Sequence, residues 1–190
     1  HQDRLNQFGT TFLFARLYHP AVRHVAKARQ QLSTRSIFNL IGPFCNPASP
    51  TVQIIGAPTK SLAKTLVTVA ESLNYDTFAV ITSDIGLDEC STVGTSTIHK
   101  LSNGNHQTIH IDPETHGIHH TLQDITVSDS ALASDNAKAF TEMLKNQDPD
   151  HPLATFIALN AAVIMHIINE SIPIESGMDQ AKQALFSLKF

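Results

Sequence analysis

The feature that most constrains this chain is a strand–helix–strand run from Val52 to Ile81. Val52–Gly56 reads VQIIG, a short apolar strand. Thr59 then offers a side-chain oxygen to cap a helix bearing Leu62, Leu66, Val69 and Leu73 at helical spacing. Thr77–Ile81 follows as a second strand rich in Phe, Val and Ile. Two strands joined by one helix imply a parallel pair with a right-handed crossover. In such sheets ligands gather beyond the carboxyl ends of the strands. The next acidic pair, Asp88-Glu89, falls just past that end, after Gly86. Downstream, Ser96–Ile111 reads as a hairpin turning at Asn103-Gly104. Helices follow: Asp135–Lys145 with Ala139, Met143 and Leu144 on one face, a long apolar one capped by Asp150 and running to Ile168, and a last one over about Met178–Leu188. The expected fold class is α/β, a mostly parallel central sheet flanked by helices and preceded by further helices.

Charge divides the chain unevenly. From His1 to Leu40 there are six basic residues, Arg4, Arg16, Arg23, Lys27, Arg29 and Arg35, against the single acid Asp3. The rest of the chain carries seven basic and sixteen acidic residues. A basic end on an otherwise acidic chain suggests anion handling there. The net charge of −4 argues against bulk nucleic-acid binding. No apolar run approaches the roughly 20 residues of a membrane helix. Two cysteines, Cys45 and Cys90, fit a reducing compartment, and with no signal peptide the expected location is cytoplasmic. His19-Pro20 starts a helix with Ala21, Val25, Ala28 and Leu32 on one stripe, and Arg29 leans toward that packed side. A buried-side guanidinium wants an anionic partner, and its planar fork suits a ligand carboxylate; an internal salt bridge or an exposed helix Arg are the other readings of the spacing. Gly42-Pro43 stops the following helix and opens a rigid loop continued by Asn46-Pro47.

Asp88 and Glu89 are adjacent carboxylates, which are most often solvated surface; the other reading is a pair that holds Mg together with water and a substrate phosphate. Asp84 is a further candidate contact. The histidines His99, His106, His110, His116, His119 and His120 raise a zinc alternative, but no Cys or paired carboxylate completes a ligand set. A wet hairpin surface is the simpler reading. Asn136-Ala137 and Asn160-Ala161-Ala162 lie on helices and read as packing.

In order along the chain stand FLFAxxxHPA, VAxxR, FNLIGPxxNP, GLDE and LNAA. This succession resembles the C-terminal part of anthranilate phosphoribosyltransferase, from about Thr11 to Met165. The resemblance implies transfer of a phosphoribosyl group from phosphoribosyl diphosphate to the amine of anthranilate, in tryptophan biosynthesis. It implies that Arg29 binds the anthranilate carboxylate, that Gly42 and Pro43 wall its ring with His19 nearby, and that Asp88 and Glu89 hold Mg. It also implies a homodimeric parent. The family's Gly-rich phosphate loop and Lys-His-Gly-Asn segment have no counterpart here, so the chain reads as a fragment, inactive by itself. Phe44-Cys45 stands where the family usually has Leu-Thr, and Ile85 replaces an acid. Residues 1–45 are expected to belong to a small helical domain and the acceptor site, and 46–190 to the C-terminal part of the α/β domain. A non-catalytic nucleic-acid-binding relative and a pyrimidine nucleoside phosphorylase-like enzyme are the alternatives.

Overall fold

The computed structural model describes residues 2–18, 40–125 and 133–187. The chain divides into two compact units, His1–Pro50 and Thr51–Phe190. In the first, α1 (Gln2–Phe8) buries no residue. One helical turn, α2 (Ala15–Tyr18), follows it. Phe12 and Phe14 stack with ring centroids 6.4 Å apart. Gly42–Cys45 forms a 3-10 turn with Pro43 in its first positions, where the missing N–H costs nothing. The helix expected from His19 to Leu32, and most of the one from Arg35, lie outside the described residues.

The second unit contains β1 (Val52–Gly56), α3 (Lys60–Ser72), β2 (Thr77–Ser83), β3 (Ser96–Ser102), β4 (Asn105–Ile111), a 3-10 turn Pro113–His116, α4 (Leu122–Ile125), α5 (Ala133–Asn146), α6 (Pro152–Ile168) and α7 (Ile174–Ser187). The four strands lie in chain order. β1 and β2 run parallel with Val52 opposite Thr77. The β2–β3 and β3–β4 pairings are antiparallel. The α/β class is what the chain forms, with the parallel part confined to β1–β2 and the hairpin making the described sheet mixed. Asn103 and Gly104 both take positive φ, 48° and 77°, which suits a two-residue turn between twisted strands.

Alternation sets the two faces of the sheet. Ala79, Ile81, Ile98 and Ile111 pack on Ala158, Leu159, Ala162 and Val163 of α6 and on Ile174 and Met178 of α7. Phe78 and Val80 point to the opposite face and are fully buried. The helix α3 packs on β2 and β3. Thr59 caps α3 as expected, its hydroxyl oxygen accepting from the Leu62 N–H at 3.3 Å. The buried stripe of α3 differs from expectation: it is Ala63, Leu66, Val67 and Ala70, while Val69 and Leu73 are exposed.

Three further details differ. His151, not Asp150, caps α6, its Nδ1 accepting from the Leu153 N–H at 3.1 Å. In α5, Met143 and Leu144 are buried with Phe140 against them, whereas Ala139 is exposed. The last helix starts at Ile174, earlier than its periodicity suggests. No helix among the described residues is long and apolar enough to cross a membrane.

Candidate functional site

The loop from Ser83 to Ser96 leaves the carboxyl end of β2, beside the end of β1. Its course is set by backbone pairing. The Leu87 N–H donates to Ser83 Oγ at 2.8 Å, and the Ser83 N–H donates to the Leu87 carbonyl at 3.0 Å. The Asp84 N–H donates to the Thr95 carbonyl at 2.9 Å, which ties the two ends of the loop together. Next, the Asp88 backbone lies directly against Gly56 of β1. A Cβ built on Gly56 would stand 1.8 Å from the Asp88 carbonyl oxygen, so only glycine admits this approach.

Beyond the acidic pair the chain turns inward. Cys90 is fully buried. Its N–H donates to Asn160 Oδ1 at 2.8 Å, and Asn160 Nδ2 donates back to its carbonyl at 2.9 Å. Burial pushes the Cys90 thiol up to about 12, so it stays protonated and inert at neutral pH. Both cysteines are free thiols. Ser91 and Ser96 complete the turn, the Ser91 N–H donating to Ser96 Oγ at 2.9 Å.

This leaves Asp88 and Glu89 exposed at the strand ends. Among the described residues neither has a cationic partner. Burial first, then the neighbouring Asp88 charge, raises the Glu89 carboxyl above its ordinary value. Two adjacent carboxylates with that mutual cost suit a divalent cation, whose charge reverses the repulsion. Asp84 does not join them as a third ligand: it pairs with Lys60 Nζ at 2.7 Å, at the start of α3. Among the described residues no group of three His, Cys, Asp or Glu side chains is arranged to hold a metal. A magnesium ion on Asp88 and Glu89 would therefore complete its shell with water or phosphate oxygens, which is its usual habit.

The residues expected on the acceptor side fall in the first unit. Gly42 and Pro43 are half-buried in the 3-10 turn, where the Phe44 N–H donates to the Ile41 carbonyl at 3.0 Å. Arg29 and His19 lie outside the described residues. Four of the candidate histidines, His99, His106, His110 and His116, have local partners. Nδ1 of His99 and of His110 lies 3.3 Å from the hydroxyls of Thr108 and Thr97. His106 meets Glu71 at 3.1 Å, and His116 meets Glu175 at 2.7 Å. Asn160 corrects the packing reading, because its carboxamide clips the acidic loop. The available signal was an amide among the apolar residues of α6. Asn136 is exposed on α5.

A mixed sheet flanked by helices, with an acidic loop beyond its parallel strands, places the chain among α/β proteins. Residues 1–187 match the family model described as glycosyl transferase family, a/b domain, and the chain belongs to that family. Its curated relatives include the anthranilate phosphoribosyltransferase of Legionella pneumophila strain Corby, 33% identical over 188 residues, covering 99% of this chain and 54% of that protein. The Aeropyrum pernix anthranilate phosphoribosyltransferase is 33% identical over 183 residues, covering 95% and 52%. The chain thus spans about half the length of the curated relatives it matches. Among solved structures, the Saccharomyces cerevisiae anthranilate phosphoribosyltransferase in complex with 4-fluoroanthranilate superposes with a TM-score of 0.81 at 23% identity, over 93% of this chain and 51% of that one. A variant of the same yeast enzyme with Mg bound gives a TM-score of 0.81 at 25% identity, over 94% and 51%.

Proposed function

We propose that this chain carries the acceptor and metal residues of an anthranilate phosphoribosyltransferase. The observation that supports this best is the exposed Asp88–Glu89 pair at the carboxyl end of the sheet, in a member of the glycosyl transferase family with these relatives. Magnesium on that pair would neutralise the departing diphosphate. Arg29 binds and orients the anthranilate carboxylate through its planar fork, aiming the amine at the sugar carbon. Gly42 and Pro43 form a wall for the aromatic ring, a close backbone face beside a rigid apolar one, and His19 stands at its edge. No covalent step falls to the protein. Its work is positioning and charge stabilisation, and the diphosphate grip comes from a part of the family fold that this sequence does not supply.

The test is a chimera in which this chain replaces the half it matches in the Legionella pneumophila relative. The chimera should turn over with anthranilate, phosphoribosyl diphosphate and magnesium, and the isolated chain should not. In the chimera, Arg29→Ala should raise the anthranilate KM by roughly ten- to a hundredfold, the worth of a charge-assisted pair of about 1.5–3 kcal/mol, with little change for phosphoribosyl diphosphate. Arg29→Lys should rescue poorly, because an ammonium has no fork. Turnover by the isolated chain at enzyme rates, or equal effects on both substrates, overturns the proposal.

A further inference from the structure

Asp88 and Glu89 occupy a two-residue span whose neighbours on both sides are tethered. On one side Leu87 uses its N–H and carbonyl on Ser83. On the other, Cys90 uses both of its backbone groups on one side chain, Asn160. Asn160 Nδ2 also donates to the Phe156 carbonyl one turn back in α6, at 3.0 Å. Two carbonyls on the nitrogen and one N–H on the oxygen fix which way the amide points. The helix that carries it is immobilised by Ala158, Leu159, Ala162 and Val163 in the main core. Gly56 closes the opposite side, with no room for a Cβ against Asp88.

We propose that Asn160 is the positioning residue of the acidic pair, acting as a strand-like partner for Cys90 that holds Asp88 and Glu89 side by side toward one cation. The inference rests on the reading that this pair binds a metal. Its physical sense lies in the repulsion between the two carboxylates. Left to themselves in a loop they would splay apart. Tethering the backbone at Leu87 and Cys90 keeps both oxygens available to a single ion and removes the ordering cost from the binding step. No apolar side chain at position 160 could replace the amide, because Cys90 is buried and would be left with an unpaired N–H and carbonyl.

The experiment uses the chain itself, labelled with 15N, and Mn(II) as a paramagnetic probe. In the wild type, Mn(II) should broaden the amides of Gly86 to Cys90 before any others. The double variant Asp88→Asn/Glu89→Gln should abolish that local broadening; if it does not, the metal reading of the pair falls, whatever Asn160 does. Asn160→Leu should weaken Mn(II) binding roughly tenfold or more. It should also speed hydrogen exchange at the Cys90 amide by about tenfold or more, while the β2–β3 amides keep their protection. Asn160→Asp keeps size and one acceptor but loses the donor to the Cys90 carbonyl, and should fall between. It carries the test if the leucine variant does not fold. Local broadening lost in the double carboxylate variant but unchanged in both Asn160 variants, with Cys90 exchange unchanged, overturns the positioning role alone. A wild-type chain with no local broadening removes both proposals.

Discussion

Phe12 and Phe78 are the same residue type in opposite situations. Phe12, in the first unit, is 74% exposed, and Leu5, Phe8, Phe14 and Leu17 around it are exposed as well. Phe78, in the second unit, is fully buried, with Tyr75 packed edge-on at 5.1 Å between ring centroids. Among the described residues, every buried side chain lies at Gln53 or beyond. The second unit therefore owns a core, with helices closing both faces of its sheet, and its acidic loop is anchored to that core at Ser83, Gly56 and Asn160. The first unit shows large apolar side chains and a basic excess without a core of its own in the described part. Order of the acidic loop is built into the second unit through these anchors.

The largest expected effect tests that contrast directly. Phe78→Ala should destabilise the chain by about 3–5 kcal/mol, the usual result of emptying a buried aromatic site. Phe12→Ala should stay within about 0.5 kcal/mol. Urea unfolding of both variants decides it, and comparable losses would mean that the first unit buries Phe12 in solution. Next in size is Gly56→Ala. Its Cβ has nowhere to go except by moving the Asp88 backbone, at about 1–3 kcal/mol. The amide shifts of Asp88 and Glu89 should move with it, and a variant with wild-type stability and unmoved shifts would show that Gly56 does not anchor the acidic loop.

The strand–helix–strand unit, the hairpin with its Asn103-Gly104 turn and the Thr59 cap were legible because local rules dominate there. So was the acidic loop's place at the strand ends, since chain order alone puts it there. What the sequence hid depends on tertiary contact. The buried stripe of α3 follows which side of the helix meets the sheet, which takes in Ala63 and Ala70 and leaves out Val69 and Leu73. Asp84 looked like a ligand by type, but Lys60 at the start of α3 pairs with it. Asn160 looked like packing because its partner, the Cys90 backbone, is 70 residues away in the chain. Helical periodicity marked Arg29 as a guanidinium on a packed side, and only the family motifs attached a ligand to it or drew attention to His19.

A smaller effect separates structural from functional charge. Lys100 is almost fully buried on β3 and meets the exposed Glu170 at 2.7 Å. The hydrogen bond to Lys100 first, then its charge, holds the Glu170 carboxyl below its ordinary 4.5. A carboxyl lowered on folding contributes stability above its unfolded value, and that contribution is lost as the pH falls through the folded value. Wild-type stability should therefore drop on going below about pH 4.5 by more than that of Glu170→Gln. Parallel pH profiles for the two proteins would show that the pair contributes nothing to folding.

Glu89 should show the opposite sign, and the smallest effect of the four. Its carboxyl is raised on folding, first by burial and then by Asp88. The folded state then binds the proton more tightly than the unfolded chain does. The advantage is complete below the unfolded value near 4.5 and is lost as the pH rises through the folded value. At neutral pH the wild type thus carries a small self-imposed cost, which Glu89→Gln removes while keeping the shape of the side chain. The variant should be at least as stable as the wild type at pH 7, and the difference should vanish near pH 4. Magnesium should stabilise the wild type and leave the variant largely indifferent, because only the charged pair gains from the ion. Thermal unfolding with and without magnesium, at both pH values, reads all three outcomes. A Glu89→Gln variant less stable at pH 7 than the wild type without metal would make Glu89 part of the scaffold. The contrast between an anchored loop and the strained charges it displays would then have to be redrawn.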